Sequence, residues 1–229
     1  MIMERLYRNN MVKFLKEGFK DFKQNYYEND KSYIDKYVKN GQKPKLMIIA
    51  CSDSRVDPAI LFQTKPGEVF SVRNVANLVP PYSPDKGLHG VSAAIEFGVA
   101  DLKIKDIIIL GHAHCGGITA LCNNFTADMD KSLNKKPPRE FIDGWMNIAS
   151  PVMSKVNLKD SSEPLQHFVE KESIKNSLQN LKTFPWIIER IKNKELKIHG
   201  WWFELKSSEL FCFDENNNNF VNINNTTIK

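Results

Sequence analysis

Two short segments of this chain carry the side chains that a soft divalent cation seeks: Cys51-Ser52-Asp53-Ser54-Arg55 and Gly111-His112-Ala113-His114-Cys115-Gly116-Gly117. Cys51, His112 and Cys115 supply two thiolates and one imidazole, the ligand types of zinc sites. The two-residue gap between His112 and Cys115 sets both on one tight turn, which Gly111, Gly116 and Gly117 are expected to ease. Structural zinc modules close the metal with four protein ligands taken as paired local knuckles, whereas catalytic sites leave one position for water or substrate. Here Cys51 is far from the His-x-x-Cys turn and no second Cys-x-x-Cys completes a knuckle, so the set reads as an open, catalytic site. Asp53, two residues from Cys51, is the group able to close it. Arg55 answers that ambiguity, because a guanidinium holds a carboxylate by two parallel hydrogen bonds, keeps it ionised and draws it off the metal. Asp53 and Arg55 then form a catalytic dyad in which the carboxylate orients whatever occupies the open position; an ordinary loop ion pair is the competing reading. Two thiolates also offset the cation's charge. A water bound there is expected to be less acidic than the ~7 of a three-histidine zinc site, and activity to climb above neutral pH.

Both segments follow apolar runs that place them. Leu46-Met47-Ile48-Ile49-Ala50 and Ile107-Ile108-Ile109-Leu110 read as buried parallel strands, and open α/β sheets build their sites at the carboxyl ends of such strands. The pattern runs on as strand 46–50, a Pro-containing turn, strand 68–72, a Pro-rich loop, helix 87–102, strand 106–110 and a glycine-rich loop. Small residues in helix 87–102, among them Gly90, Ala93, Ala94 and Gly98, suit close packing on the sheet. Pro137-Pro138 precedes a helix beginning near Arg139, and a long helical stretch from about 164 should stop or kink at Pro185. Strand character returns over 196–203, 210–213 and 220–223, with Asn216 to Asn219 as a turn. The expected fold class is therefore α/β: a central, mostly parallel β-sheet flanked by helices, with an N-terminal helical arm and a C-terminal strand extension. The arm takes residues 1–42, where Leu15, Phe19, Phe22 and Tyr26 share a helical face and Tyr33, Ile34, Tyr37 and Val38 suggest a second short helix. Residues 43–229 form a single α/β domain.

Composition excludes several classes. With 229 residues, 41% of them hydrophobic, the chain can bury a substantial core. The net charge of +5 does not signal nucleic acid, because Lys is dispersed among Asp and Glu with no basic patch interleaved with aromatics. Charge interrupts the first ten residues and no uncharged run reaches membrane-spanning length, so no membrane partner and a cytoplasmic location are expected. Four cysteines are too few and too scattered for a disulfide scaffold. Cys122 and Cys212 read as ordinary thiols, and His89 and His114 as loop histidines.

The two metal-ligand segments, together with Gly41-Gln42-Lys43-Pro44, Pro66-Gly67-Glu68, the run from Val72 to Tyr82 and Ser92-Ala93-Ala94-Ile95-Glu96-Phe97, resemble the β-class carbonic anhydrases in their plant-type branch. That resemblance implies one Zn²⁺ per subunit on Cys51, His112 and Cys115, and the dyad Asp53–Arg55. It implies a substrate pocket of Gln42, Phe70, Val75 and Phe97, in which the Gln42 amide and the Gly116 backbone N–H serve carbon dioxide and bicarbonate as donors. The implied reaction is reversible hydration of carbon dioxide to bicarbonate and a proton through zinc-bound hydroxide. It further implies a homodimer or higher homo-oligomer in which Gln42, Phe70 and Phe97 reach the zinc of the adjacent chain. Three positions depart from relatives. Phe97 stands where plant enzymes commonly have tyrosine, and Asp101 where they can carry a histidine proposed in proton transfer. Ile48 stands where some bacterial relatives use a tryptophan in an inhibitory bicarbonate site, so no such switch is expected and water is the expected fourth ligand. Two other readings use the same residues: a hydrolase of carbon disulfide or carbonyl sulfide, and a non-catalytic, zinc-stabilised interaction protein.

Overall fold

A computed structural model describes residues 11–29, 32, 35–129, 137–158 and 162–225. The chain divides into two compact units, Met1–Lys43 and Pro44–Lys229. In the first, helix α1 (Met11–Lys23) passes into a π-helical turn at Gln24–Glu28, and a second such turn spans Asp35–Lys39. Helical spacing brings its rings together: Phe22 lies 5.1 Å from Tyr26 and 5.7 Å from Tyr27, centre to centre. Val12, Phe14, Leu15 and Phe19 are exposed. Tyr33 and Ile34, expected on a second short helix, lie outside the described residues.

The second unit is built on a six-stranded sheet of β1 (Leu46–Cys51), β2 (Val69–Asn74), β3 (Asp106–His112), β4 (Lys197–Glu204), β5 (Glu209–Asp214) and β6 (Asn219–Asn222). The spatial order is β2-β1-β3-β4-β5-β6. The first four strands in that order are parallel, and β5 and β6 are added as antiparallel hairpins. The period of two in a strand divides the apolar runs between two cores. Met47, Ile49, Ile107 and Ile109 meet Ile174, Leu178 and Leu181 of helix α6 (Leu165–Leu181), together with Phe184 and Ile187. Ile48, Ala50, Ile108 and Leu110 face the other way, against Leu61, Phe62 and Trp201. A strand buried on both faces has no polar position to spare, which is why β1 and β3 read as unbroken apolar runs. Each of these fully buried isoleucines contributes about 2 kcal/mol of transfer free energy. Among the described residues no helix is long and apolar enough to cross a membrane.

The remaining helices are α2 (Pro58–Leu61), α3 (Gly90–Glu96, continued by a π-helical turn Phe97–Asp101), α4 (Gly116–Met129), α5 (Ile142–Met146) and α7 (Pro185–Lys192). The structure differs from the sequence reading in three places. The loop expected after the third strand is only a turn, because Gly116 and Gly117 open the 14-residue helix α4. Pro185 does not stop a helix. The long helix has already ended at Leu181, and Pro185 occupies the first turn of α7, where its missing N–H costs nothing. The helix expected from near Arg139 begins at Ile142.

Candidate metal centre

β1 and β3 are neighbours with Ala50 level with Leu110, so Cys51 and His112 leave the sheet side by side at its carboxyl edge. The chain then reverses: Ala113 N–H still donates to the Phe203 carbonyl (2.9 Å), and His114 takes a left-handed conformation at φ 57°. The tight turn is therefore made by a histidine, not by the surrounding glycines. Gly111 and Gly117 serve close packing instead. A Cβ on Gly111 would lie 2.6 Å from Ile174 Cδ1, and one on Gly117 3.0 Å from Val75 Cγ1. Cys115 comes next and occupies the N-cap position of α4, its carbonyl accepting the first helical N–H, from Thr119 (2.8 Å).

The result is a buried triad of Cys51 Sγ, His112 Nε2 or Nδ1 and Cys115 Sγ, all within 4.8 Å of one another. Three observations test whether it fits zinc. The two sulfurs are 3.9 Å apart; two Zn–S bonds of about 2.3 Å at a tetrahedral angle put them about 3.8 Å apart. His112 Nδ1 lies 2.8 Å from the Ala113 carbonyl, which assigns the proton to that nitrogen, while buried Nε2 has no hydrogen-bond partner. An unpartnered acceptor in a dry site is costly unless a cation takes its lone pair. Finally, Cys115 is held well above the usual thiol range by its contact with Cys51 and by burial, and the same contact draws Cys51 down. Two sulfurs this close cannot both be thiolates without a cation between them. The donor set fits zinc on all three counts.

Asp53 lies at the rim, with Oδ2 4.0 Å from His112 Nε2. Arg55 grips it fully: backbone N and Nε both donate to Oδ1 at 2.9 Å, and Nη2 donates to Oδ2 at 2.7 Å. These hydrogen bonds hold the Asp53 carboxyl well below the usual carboxylate range against the opposing effect of partial burial. Nη2 also reaches the His114 carbonyl (3.1 Å), tying the dyad to the ligand turn. Sequence reasoning missed Arg73 of β2, whose guanidinium donates to the Cys51 carbonyl (3.0 Å), the Asp53 carbonyl (2.6 Å) and Asp57 Oδ2 (2.6 Å) and so shapes the loop that carries the dyad. It missed Glu170 as well. Glu170 Oε1 accepts from Cys115 N (2.9 Å) and Gln166 Nε2 (3.0 Å), and Oε2 accepts from Trp202 Nε1 (3.2 Å). Burial pushes the Glu170 carboxyl up to about 7 despite these donors. The signal was present in the sequence, since Glu170 shares the inward stripe of Ser173, Ile174, Ser177, Leu178 and Leu181, where a polar residue requires a partner.

The expected pocket residues are only partly gathered. Val75 packs on Gly117, is 37% exposed, and its carbonyl accepts from Trp145 Nε1 at 2.8 Å. A Cβ on Gly116 would meet nothing within 4 Å, so open space borders its backbone. Phe70 and Phe97 pair with each other at 6.0 Å, centre to centre. Phe70 is level with Met47, four residues before Cys51 and therefore ~13 Å back along the sheet. Gln42 belongs to the N-terminal unit and is exposed. His89 and His114 are loop residues as expected, His89 Nε2 lying 2.6 Å from Asp85 Oδ1.

Comparison with known proteins gives one consistent set of relatives. The family model described as carbonic anhydrase matches residues 46–210. Beta carbonic anhydrase 3 of Arabidopsis thaliana is 38% identical over 205 residues, which cover 86% of this chain and 76% of that protein. Among solved structures, the β-carbonic anhydrase CcaA is 28% identical and superposes with a TM-score of 0.74, covering 93% of this chain and 92% of that one. The Coccomyxa β-carbonic anhydrase, solved in complex with acetazolamide, is 26% identical with a TM-score of 0.68, covering 86% and 83%.

Proposed function

Because this chain belongs to the β-class carbonic anhydrases, zinc enzymes whose activity is the reversible hydration of carbon dioxide, we propose that Cys51, His112 and Cys115 hold its zinc and that Asp53 and Arg55 are the groups that work beside it. When bound, zinc supplies Lewis acidity that turns water into a nucleophile for carbon dioxide near neutral pH. The observation that carries the assignment is the buried triad of Cys51, His112 and Cys115, with ligand atoms within 4.8 Å of one another and His112 Nε2 unpartnered.

The protein's part is orientation. Asp53 keeps its charge because three Arg55 donors hold it, and Oδ2, with a single donor among these, retains a lone pair for a proton presented from the metal side. The same grip restrains the carboxylate from becoming the fourth ligand, which supports an open site. Carbon dioxide is small, linear and apolar, so half-exposed Val75 and the open space beside Gly116 suit it, with the Gly116 N–H as a donor to the oxygen that becomes negative. The remaining wall, Gln42 with the Phe70–Phe97 pair, comes from a second subunit in this reading. The ~13 Å between Phe70 and the Cys51 level of the same sheet supports that, and makes a homodimer the smallest complete enzyme.

The test is stopped-flow hydration of carbon dioxide by the purified protein before and after zinc is stripped with a chelator, with and without acetazolamide. Activity that climbs above neutral pH, disappears with the metal and returns on adding zinc is expected. A protein that purifies without zinc, or that hydrates carbon dioxide equally well without it, overturns the reading.

A further inference from the structure

We propose that Glu170, braced by Gln166, is a positioning residue that sets the aim of the Cys115 sulfur toward the metal; this deepens the zinc reading above and rests on it. The peptide groups on both sides of the Cys115 Cα are gripped by α6 and the first turn of α4. On the amino side, Cys115 N–H donates to Glu170 Oε1 at 2.9 Å. On the carboxyl side, the Cys115 carbonyl accepts from Thr119 N (2.8 Å), Thr119 Oγ1 (2.9 Å) and Gln166 Nε2 (3.4 Å). Gln166 Nε2 closes the loop by donating to Glu170 Oε1 (3.0 Å) and Thr119 Oγ1 (2.7 Å). With both flanking peptides pinned, the direction of Cα–Cβ is set, and the sulfur has only its χ1 rotation left.

The turn needs such a hold. His114, immediately before Cys115, sits at φ 57°, a conformation that a residue with a Cβ adopts only when its surroundings enforce it. Zinc–ligand distances tolerate only about 0.2 Å, so relaxation of this turn would be felt at the metal. The residue type is also informative. Glu170 is 3% exposed and its three partners are neutral N–H donors, Cys115 N, Gln166 Nε2 and Trp202 Nε1, arriving on both oxygens. Only a carboxylate accepts at both ends. The isosteric amide would turn its own NH₂ against either Trp202 or the Cys115 and Gln166 donors.

The experiment follows zinc release from the purified holoenzyme into excess chelator with a colour reporter, for the wild type, Glu170→Gln, Glu170→Asp and Gln166→Ala. The thiolate-to-metal absorption of the cobalt-substituted proteins and the Tm of metal-loaded and metal-free forms complete the measurement. Glu170→Gln is expected to release zinc about 10- to 100-fold faster, with a shifted cobalt–thiolate band and a larger Tm loss in the loaded than in the metal-free protein. Glu170→Asp, which keeps both acceptor oxygens, is expected to recover part of this. If Glu170→Gln fails to fold, Gln166→Ala carries the test, with release several-fold faster expected. Release within about twofold of wild type in the folded variants, or equal Tm losses with and without metal, overturns the proposal. A wild-type protein that holds no zinc overturns the zinc reading itself, whereas tight zinc in both wild type and variants sinks only the clamp.

Discussion

Asp53 and Arg55 make the same contact that two adjacent surface residues would, yet its consequence depends on what lies 4.0 Å away, the unpartnered His112 Nε2. Removing the carboxylate and removing its holder should therefore fail differently. Asp53→Ala is expected to keep one zinc per subunit and to lose activity by roughly 10²- to 10³-fold, the scale of losing a preorganised polar group at a reacting centre. Arg55→Ala should cost at least as much, because it also frees the carboxylate to approach the metal, and Arg55→Lys should recover little since an ammonium cannot supply the two-pronged contact. Metal analysis beside kcat/KM separates the cases; full activity in Asp53→Ala would remove the dyad from the mechanism. These residues were legible in the sequence because their chemistry is carried by type and short spacing. Gln166 and Trp202 were not, and for Glu170 only the need for some partner was, because α6 and β4 deliver them across more than fifty residues and no local pattern states that Cys115 N–H is what they meet.

Among the elements, strands β1 and β3 were readable to within two residues because burial on both faces leaves an unbroken apolar signature. Helix α4 was not, since it opens on two glycines and starts where the ligand turn ends at Cys115, which is seen only once that turn is folded. What holds the site elements together is the contact of α6 with the sheet. Gly200 of β4 permits it: a Cβ there would lie 2.8 Å from Ile174 Cγ2 and 3.0 Å from Leu178 Cδ1. Gly200→Ala is therefore expected to cost about 1–3 kcal/mol by overpacking. Thermal unfolding should show a Tm lower by about 2–4 °C for each kcal/mol. Because Ile174 is the obstructing side chain, Ile174→Ala should be less harmful in the Gly200→Ala background than alone, the new methyl filling part of the cavity. Strict additivity of the two would mean that this helix–sheet contact is looser than the distances imply.

At the scale of the whole second unit, the helix that braces the centre is also tied through charge to the 3-10 segment packed beside it. Glu172 of α6 is 8% exposed and lies 2.8 Å from Lys155 Nζ, at the end of the 3-10 segment Ser150–Lys155, and 2.6 Å from Lys175 Nζ one turn on. Burial alone would raise its carboxyl, but the two lysine hydrogen bonds and their charges outweigh it and the net direction is down. The sign follows. A carboxyl whose folded pKa lies below its unfolded one adds stability that is fully present above the unfolded value and is lost as pH falls through the folded value. The window is therefore acidic, beginning near pH 4.5, the ordinary value for this group, and extending below it. Glu172→Gln keeps the shape and removes the charge, and should destabilise the protein by about 1–3 kcal/mol at neutral pH. Urea unfolding of the two proteins from pH 7 down to the acid transition should show that gap narrowing below pH 4.5 and closing as the wild-type carboxyl takes up its proton. A gap that stays constant over that range would mean that Glu172 acts through packing and not through its charge.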